Sequence, residues 1–196
     1  MVRMRMGNNM DNNVDNNEEK IATEVADAPE DKTGAEEITE ATKEAEETAA
    51  DAVEEAEEEA DMVLSVIREM DNIELTYPIV YDWEIVTTDV ARTDNISVKT
   101  LTECSVVFCE KIKQAGYIPM VYQNKRTSLL KLDLPELTDY DFWLAEYNDE
   151  ATYYYNYQMW QYASDGTVPG VVGDVDVNIC FKDYTNSENK ESDDYA

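Results

Sequence analysis

Pro78 is followed by a run of strong β-formers, Ile79, Val80, Tyr81 and Trp83, and this run constrains the fold more than any other stretch. A ring-locked residue suits the entry of a strand, and β-branched and aromatic side chains suit a pleated surface. Successive side chains of a strand point to opposite faces, so a strand apolar at consecutive positions has to be covered on both. That is the pattern of a parallel α/β sheet. The run then reaches two acids, Asp82 and Glu84. Two residues apart on a strand, they share a face, with Cα atoms about 6.5 Å apart. Acids at a strand end often do no more than meet solvent. At the C-terminal end of a buried parallel strand, two carboxylates on one face are also a place for acid chemistry.

Composition removes many alternatives. The chain has 196 residues, enough for one domain of ordinary size with some tail. Its 45 acids, 15 bases and no histidine give a net charge of −30. That charge argues against nucleic acid or an anionic membrane surface as a partner. It is unevenly spread: residues 1–61 carry 21 acids and 5 bases, and the remainder carries 24 and 10 with nearly all the aromatics. Without histidine, Ser-His and Cys-His nucleophilic sites and Cys/His metal sites are ruled out. Cys104, Cys109 and Cys180 match no zinc spacing, and no metal or cofactor is expected. Cys104 and Cys109, five apart on different faces of a predicted helix, read as small buried hydrophobes. No apolar run approaches the ~20 residues of a membrane span. Met1 to Gly7 has the charge of a signal peptide without an apolar stretch behind it. Dinucleotide, P-loop and nucleophile-elbow motifs are absent.

Taken in order, residues 7–32 are Asn, Asp, Glu and Ala with few large apolar groups, too little to offset chain entropy, so disorder is expected. From about Ala35 to Met70 the chain is Glu- and Ala-rich without Gly or Pro, which predicts helix. Its stripe is thin through Ala41, Ala45, Ala49, Ala52, Ala56 and Ala60. It thickens at Val63, Leu64 and Ile67, which should pack on a core. After the Pro78 strand, Ile85 to Ile96 reads as a polar loop. Ser97 can cap a helix running to about Ala115, ended by Gly116. Tyr117 to Tyr122 is a second strand, followed by short helices or turns over Asn124 to Leu132 and Leu134 to Thr138. Asp141 to Tyr147 is a third strand and Gln158 to Tyr162 a fourth. Ser164-Asp165-Gly166 reads as a turn, Val175 to Phe181 as the last strand, and Thr185 to Ala196 as an acidic tail. Phe142 and Trp143 read as core, and Tyr153-Tyr154-Tyr155 as a packed surface loop.

If all the strands run parallel, their ends meet on one rim. That rim gathers Asp82, Glu84, Tyr122, Tyr147, Gln161 and Tyr162, with Asp176 near the start of the last strand. Aromatic faces stack on sugar rings and carboxylates protonate glycosidic oxygens, so the constellation suits a carbohydrate.

Six short pieces in a fixed order carry a resemblance. They are Ala60 to Leu64, Tyr77 to Glu84, Ala115 to Tyr122, Trp143 to Tyr147, Met159 to Tyr162 with Gly166, and Gly173 to Asn178. Residues from about Ala50 to Tyr184 resemble the C-terminal two-thirds of a glycoside hydrolase family 25 lysozyme, a peptidoglycan N-acetylmuramidase. The resemblance implies an incomplete (β/α) TIM-like barrel, about its last five strands, truncated at its N-terminus. The chain then divides into an acidic segment 1–47, disordered then helical, a partial barrel 48–184, and an acidic tail 185–196.

The resemblance further implies hydrolysis of the β-1,4 bond between N-acetylmuramic acid and N-acetylglucosamine. Glu84 would be the general acid and Asp82 its partner. Asp176 would be a third rim acid, and Tyr122, Tyr147, Trp160 and Gln161 sugar contacts. A neighbouring carboxylate and a partly apolar rim favour the protonated form that an acid catalyst needs. Peptidoglycan as substrate implies an extracellular or cell-wall location. The family opens with an Asp-bearing strand and two further strand–helix units, in whose place stand residues 1–47, and Glu146 stands where the family often has Gln. The alternative is a non-catalytic remnant that binds peptidoglycan or a protein through the surviving rim. In either case the Pro78 strand becomes a sheet edge open to self-association.

Overall fold

A computed structural model of the chain describes residues 33–70, 74–84 and 96–185. The expected disorder of residues 7–32 and most of the loop 85–96 lie outside them. The described elements are α1 (Thr33–Glu69), β1 (Ile79–Asp82), α2 (Val98–Gln114), β2 (Pro119–Asn124) and α3 (Lys125–Lys131). A 3-10 turn (Leu134–Leu137) follows, then β3 (Asp141–Ala145), β4 (Met159–Gly166) and β5 (Val175–Cys180). The strands form one curved sheet in the order β1-β2-β3-β4-β5, a half-barrel with helices on its outer face.

The helix limits follow local chemistry. Ser97 Oγ accepts from Thr100 N at 3.0 Å at the start of α2, satisfying a backbone donor that the first turn leaves without an intrahelical partner. At the far end Gly116 adopts φ 88°, a conformation that only glycine takes without steric penalty. Asn124 does for α3 what Ser97 does for α2, accepting from Thr127 N at 2.8 Å.

Helix α1 docks through its C-terminal half. Ala56, Ala60, Val63, Leu64 and Ile67 are buried in the outer core with Leu101, Phe108 and Ile112 of α2. Each large side chain so buried contributes about 1.5–3 kcal/mol, so Val63, Leu64 and Ile67 carry most of the docking, and burial extends back along the stripe to Ala56. Farther back, residues 45–48 are exposed. Lys111 of α2 reaches across to Glu57 Oε1 at 2.8 Å and Asp61 Oδ2 at 2.7 Å.

Alternation along the strands divides the core in two. Ile79, Tyr81, Trp83, Val121, Phe142, Leu144 and Trp160 face the helices. Val80, Met120, Tyr122, Trp143, Ala145 and Met159 form a second cluster on the concave face. Phe142 and Trp143 are both core, as expected, but in different cores. No helix joins β3 to β4. Instead Tyr153 stacks on Phe142, centroids 5.7 Å apart at 15°, while Tyr154 stands in solvent. The N-terminal end of the concave face is closed by the chain's return: Tyr184 packs 5.5 Å from the Tyr77 ring and donates to Asp141 Oδ2 at 2.8 Å.

The structure corrects two expectations. Strand β4 runs on to Gly166, so Ser164-Asp165-Gly166 is strand and not turn; the chain reverses beyond it, where Gly170 and Gly173 have φ 89° and 98°. And β5 pairs antiparallel with β4, Met159 opposite Cys180 and Gly166 opposite Val175, whereas β1 to β4 are parallel. Residues 167–174 are too few for the crossover of a dozen or more residues that a parallel return needs.

Cys104 and Cys109 lie on different faces of α2 yet are both buried, because the helix is held between α1 and the sheet. Burial first, then the neighbouring Glu103, raises the Cys104 thiol to about 11, and burial pushes Cys109 higher still. Cys180 is exposed. Thiol reagents act on the thiolate, so the native chain is expected to take up one label, at Cys180, and three after denaturation. Fast native labelling of Cys109 would contradict this packing.

Candidate active site

The parallel strands bring their C-terminal ends to one rim in stepped register. Asp82 stands opposite Tyr122, Tyr122 opposite Trp143, and Ala145 opposite Gln161. All these residues share the concave face. Tyr122 Oη donates to Gln161 Oε1 at 2.6 Å, and Tyr147 Oη reaches the same oxygen at 3.2 Å. One buried amide therefore fixes two phenols. The Tyr122 ring meets Trp143 edge-on, centroids 4.9 Å apart at 71°, so the phenol leans across β3 toward β4. Asn178 of β5 completes the row: it pairs with Gln161 and accepts from Trp143 Nε1 at 2.9 Å.

Glu84 lies two residues past the end of β1, half-buried. Asp176 shares a face with Asn178 by alternation. The antiparallel course of β5 matters here, since the start of a parallel strand would lie at the opposite end of the sheet. Running antiparallel, β5 carries Asp176 at the rim, level with the outer part of β4. Trp160 is on the other face. It pairs with Leu144 and Ile179, and its Nε1 donates to Glu146 O at 2.8 Å. The rim therefore unites Asp82, Tyr122, Tyr147 and Gln161, with Glu84 just beyond the end of β1, and leaves Trp160 behind the sheet.

Glu146 is buried, and its carboxylate is fully engaged. It accepts from Thr152 N at 2.9 Å, Thr152 Oγ1 at 2.5 Å, Lys125 Nζ at 3.0 Å and Asn148 Nδ2 at 3.3 Å. Burial alone would raise its pKa, but the bonds from Thr152 and Lys125 outweigh it and hold the carboxyl below the usual range. The residue organises the turn after β3, which carries Tyr147.

Two residues of this region escape sequence reading. Asn178 is one; its signal is the alternation it shares with Asp176. The other is Glu59 of α1, which lines a small cavity of about 10 Å³ along β1 with Val63 and Asp82. Burial, and then the Asp82 charge, raise the Glu59 pKa above the ordinary 4.5. Its only sequence signal is its place between Ala56 and Val63 on the docking face. A carboxyl raised on folding binds more protons in the native state, so stability is lost as pH rises through its folded pKa. Glu59→Gln is expected to raise the thermal midpoint at neutral pH, with the difference from the parent vanishing below about pH 4. A gain that persists in acid would assign the effect to packing.

Among the described residues no group of His, Cys, Asp and Glu is arranged to hold a metal ion, and no helix is long and apolar enough to cross a membrane.

An α/β half-barrel with an acid- and tyrosine-bearing rim at the strand C-termini is a fold that relatives can be measured against. The profile of Glycosyl hydrolases family 25 matches residues 30–171, well over half the chain, and the chain belongs to that family. The modular autolysin LytC from Streptococcus pneumoniae is 28% identical with a TM-score of 0.51, over 64% of this chain and 30% of LytC. LytC in complex with a synthetic peptidoglycan ligand superposes with a TM-score of 0.52 at the same identity and coverage. The Clostridium perfringens spore cortex lytic enzyme SleM gives 22% identity and a TM-score of 0.52, over 64% of this chain and 44% of SleM, a likeness of fold alone. The chain thus spans less than half the length of these proteins. No curated protein matches it.

Proposed function

We propose that the chain acts on peptidoglycan as a lysozyme-type glycosidase, cleaving the β-1,4 bond between N-acetylmuramic acid and N-acetylglucosamine. The observation that carries this reading is the rim itself. Asp82 stands in register opposite Tyr122, whose phenol a buried amide locks in place, and Glu84 follows in a chain of family 25. Glu84 protonates the leaving oxygen. Asp82 faces the positive charge that develops at the anomeric carbon, or orients the substrate's acetamido group, and Asp176 supplies a third carboxylate. Tyr122, Tyr147 and Gln161 contact the sugar. LytC, 28% identical, has been observed with a synthetic peptidoglycan ligand, which supports the substrate class.

A second reading is favoured by a described sheet of five strands. In it the chain binds wall glycan without turning it over. One experiment separates the two: purified chain is incubated with bacterial cell walls, and both release of reducing ends and co-sedimentation are measured. Release supports the glycosidase, binding without release selects the second reading, and neither defeats both.

A further inference from the structure

A second concavity among the described residues lies away from Asp82. It is a groove of about 630 Å³ outside the rim, between the turn after β3 and the far end of β4. Tyr147, Tyr162 and Trp160 supply its aromatic walls, and Asn148, Asp149 and Asp165 its polar ones. Tyr162 lies against Trp160, centroids 5.6 Å apart, and Tyr147 is 53% exposed. Asn148 is held by its bond to Glu146, so its amide is presented in a fixed direction.

Three features narrow the occupant. Ring faces beside hydrogen-bonding groups suit a ligand with apolar ring faces and hydroxyl edges. The two carboxylates, with no lysine or arginine in the lining, disfavour an anion. And the groove is continuous with the rim through Tyr147, which lines the groove while its hydroxyl reaches Gln161. Strand β4 thus presents opposite faces to two halves of one surface, Gln161 inward and Trp160 outward.

We infer that this groove is an accessory subsite for a neutral stretch of β-linked N-acetylhexosamine, continuing the rim outward across Tyr147. The inference rests on the glycan reading above. It gives Trp160, Tyr162 and Asp165 a role in holding a long chain rather than in bond cleavage.

The test uses the 196-residue chain and two probes, di-N-acetylchitobiose and tetra-N-acetylchitotetraose, with binding followed by calorimetry. Tetramer affinity is expected to fall about tenfold in Tyr162→Ala, the loss of one stacked ring. It should fall measurably in Asp165→Ala, whose exposed position leaves the fold intact. Dimer affinity should be unchanged in both. Tetramer binding that neither variant alters would overturn the subsite and leave the rim reading standing. Failure of the parent to bind the tetramer would likewise overturn the subsite, the rim reading being decided separately by the cell-wall assay, and loss in Asp165→Ala of binding to a lysine-bearing peptide instead of the glycan would reassign the groove.

Discussion

Glu84→Gln is expected to lower hydrolysis of cell-wall glycan by about 10²–10⁴-fold while glycan binding stays close to that of the parent. A general acid contributes about that much, and the amide keeps the shape of the side chain without a proton to donate. Asp82→Asn should cost about 10²–10³-fold, because it removes a fixed charge from where the transition state becomes cationic. Its register opposite Tyr122 and the Tyr122–Gln161 bond keep the surroundings in place, so the loss should appear in kcat more than in KM. Reducing-end release from purified walls gives both numbers. A near-normal rate for Glu84→Gln would move the proton donor to Asp176, the remaining rim carboxylate that β5 supplies.

Much of this arrangement is written in local sequence. Ser97, Asn124 and Gly116 announce helix limits because capping is decided within a few residues. Val63, Leu64 and Ile67 announce docking because a helix presents positions three and four apart on one face. The direction of β5 is not local in that sense: a strand ending at Tyr162 leaves twelve residues before Val175, and only the extension of β4 to Gly166 makes the connection too short for a parallel return. Gln161 and Trp160 teach a related lesson. Adjacent residues of a strand cannot both face the concave side, so one of the two had to lie behind the sheet. Which one depends on pairing with Ala145 and Asn178, a fact about other strands. Glu59 was illegible because its meaning comes from Asp82, more than twenty positions away.

The chain is also expected to self-associate through β1, more strongly as salt rises. In the described sheet β1 is an edge, and its Ile79, Val80 and Tyr81 are buried. Ile79 N donates to Ile118 O at 2.8 Å, so by alternation the N–H of Val80 points away from β2. Helix α1 stands beside that edge with Glu59 and Val63, but a helix has no free ladder of backbone groups to offer it. Another strand does, which makes such an edge a template for pairing. The net charge of −30 opposes the encounter, and salt screens that repulsion over about 8–10 Å at physiological strength. Sedimentation should therefore show association that grows with concentration and with salt. Val80→Pro removes the outward N–H while leaving the bonds of Ile79 to β2, and proline is tolerated on edges for that reason. It should weaken association at least about tenfold, or about 1.4 kcal/mol, with circular dichroism confirming that the variant is folded. A chain that stays monomeric at high salt and high concentration would show that the edge is already covered.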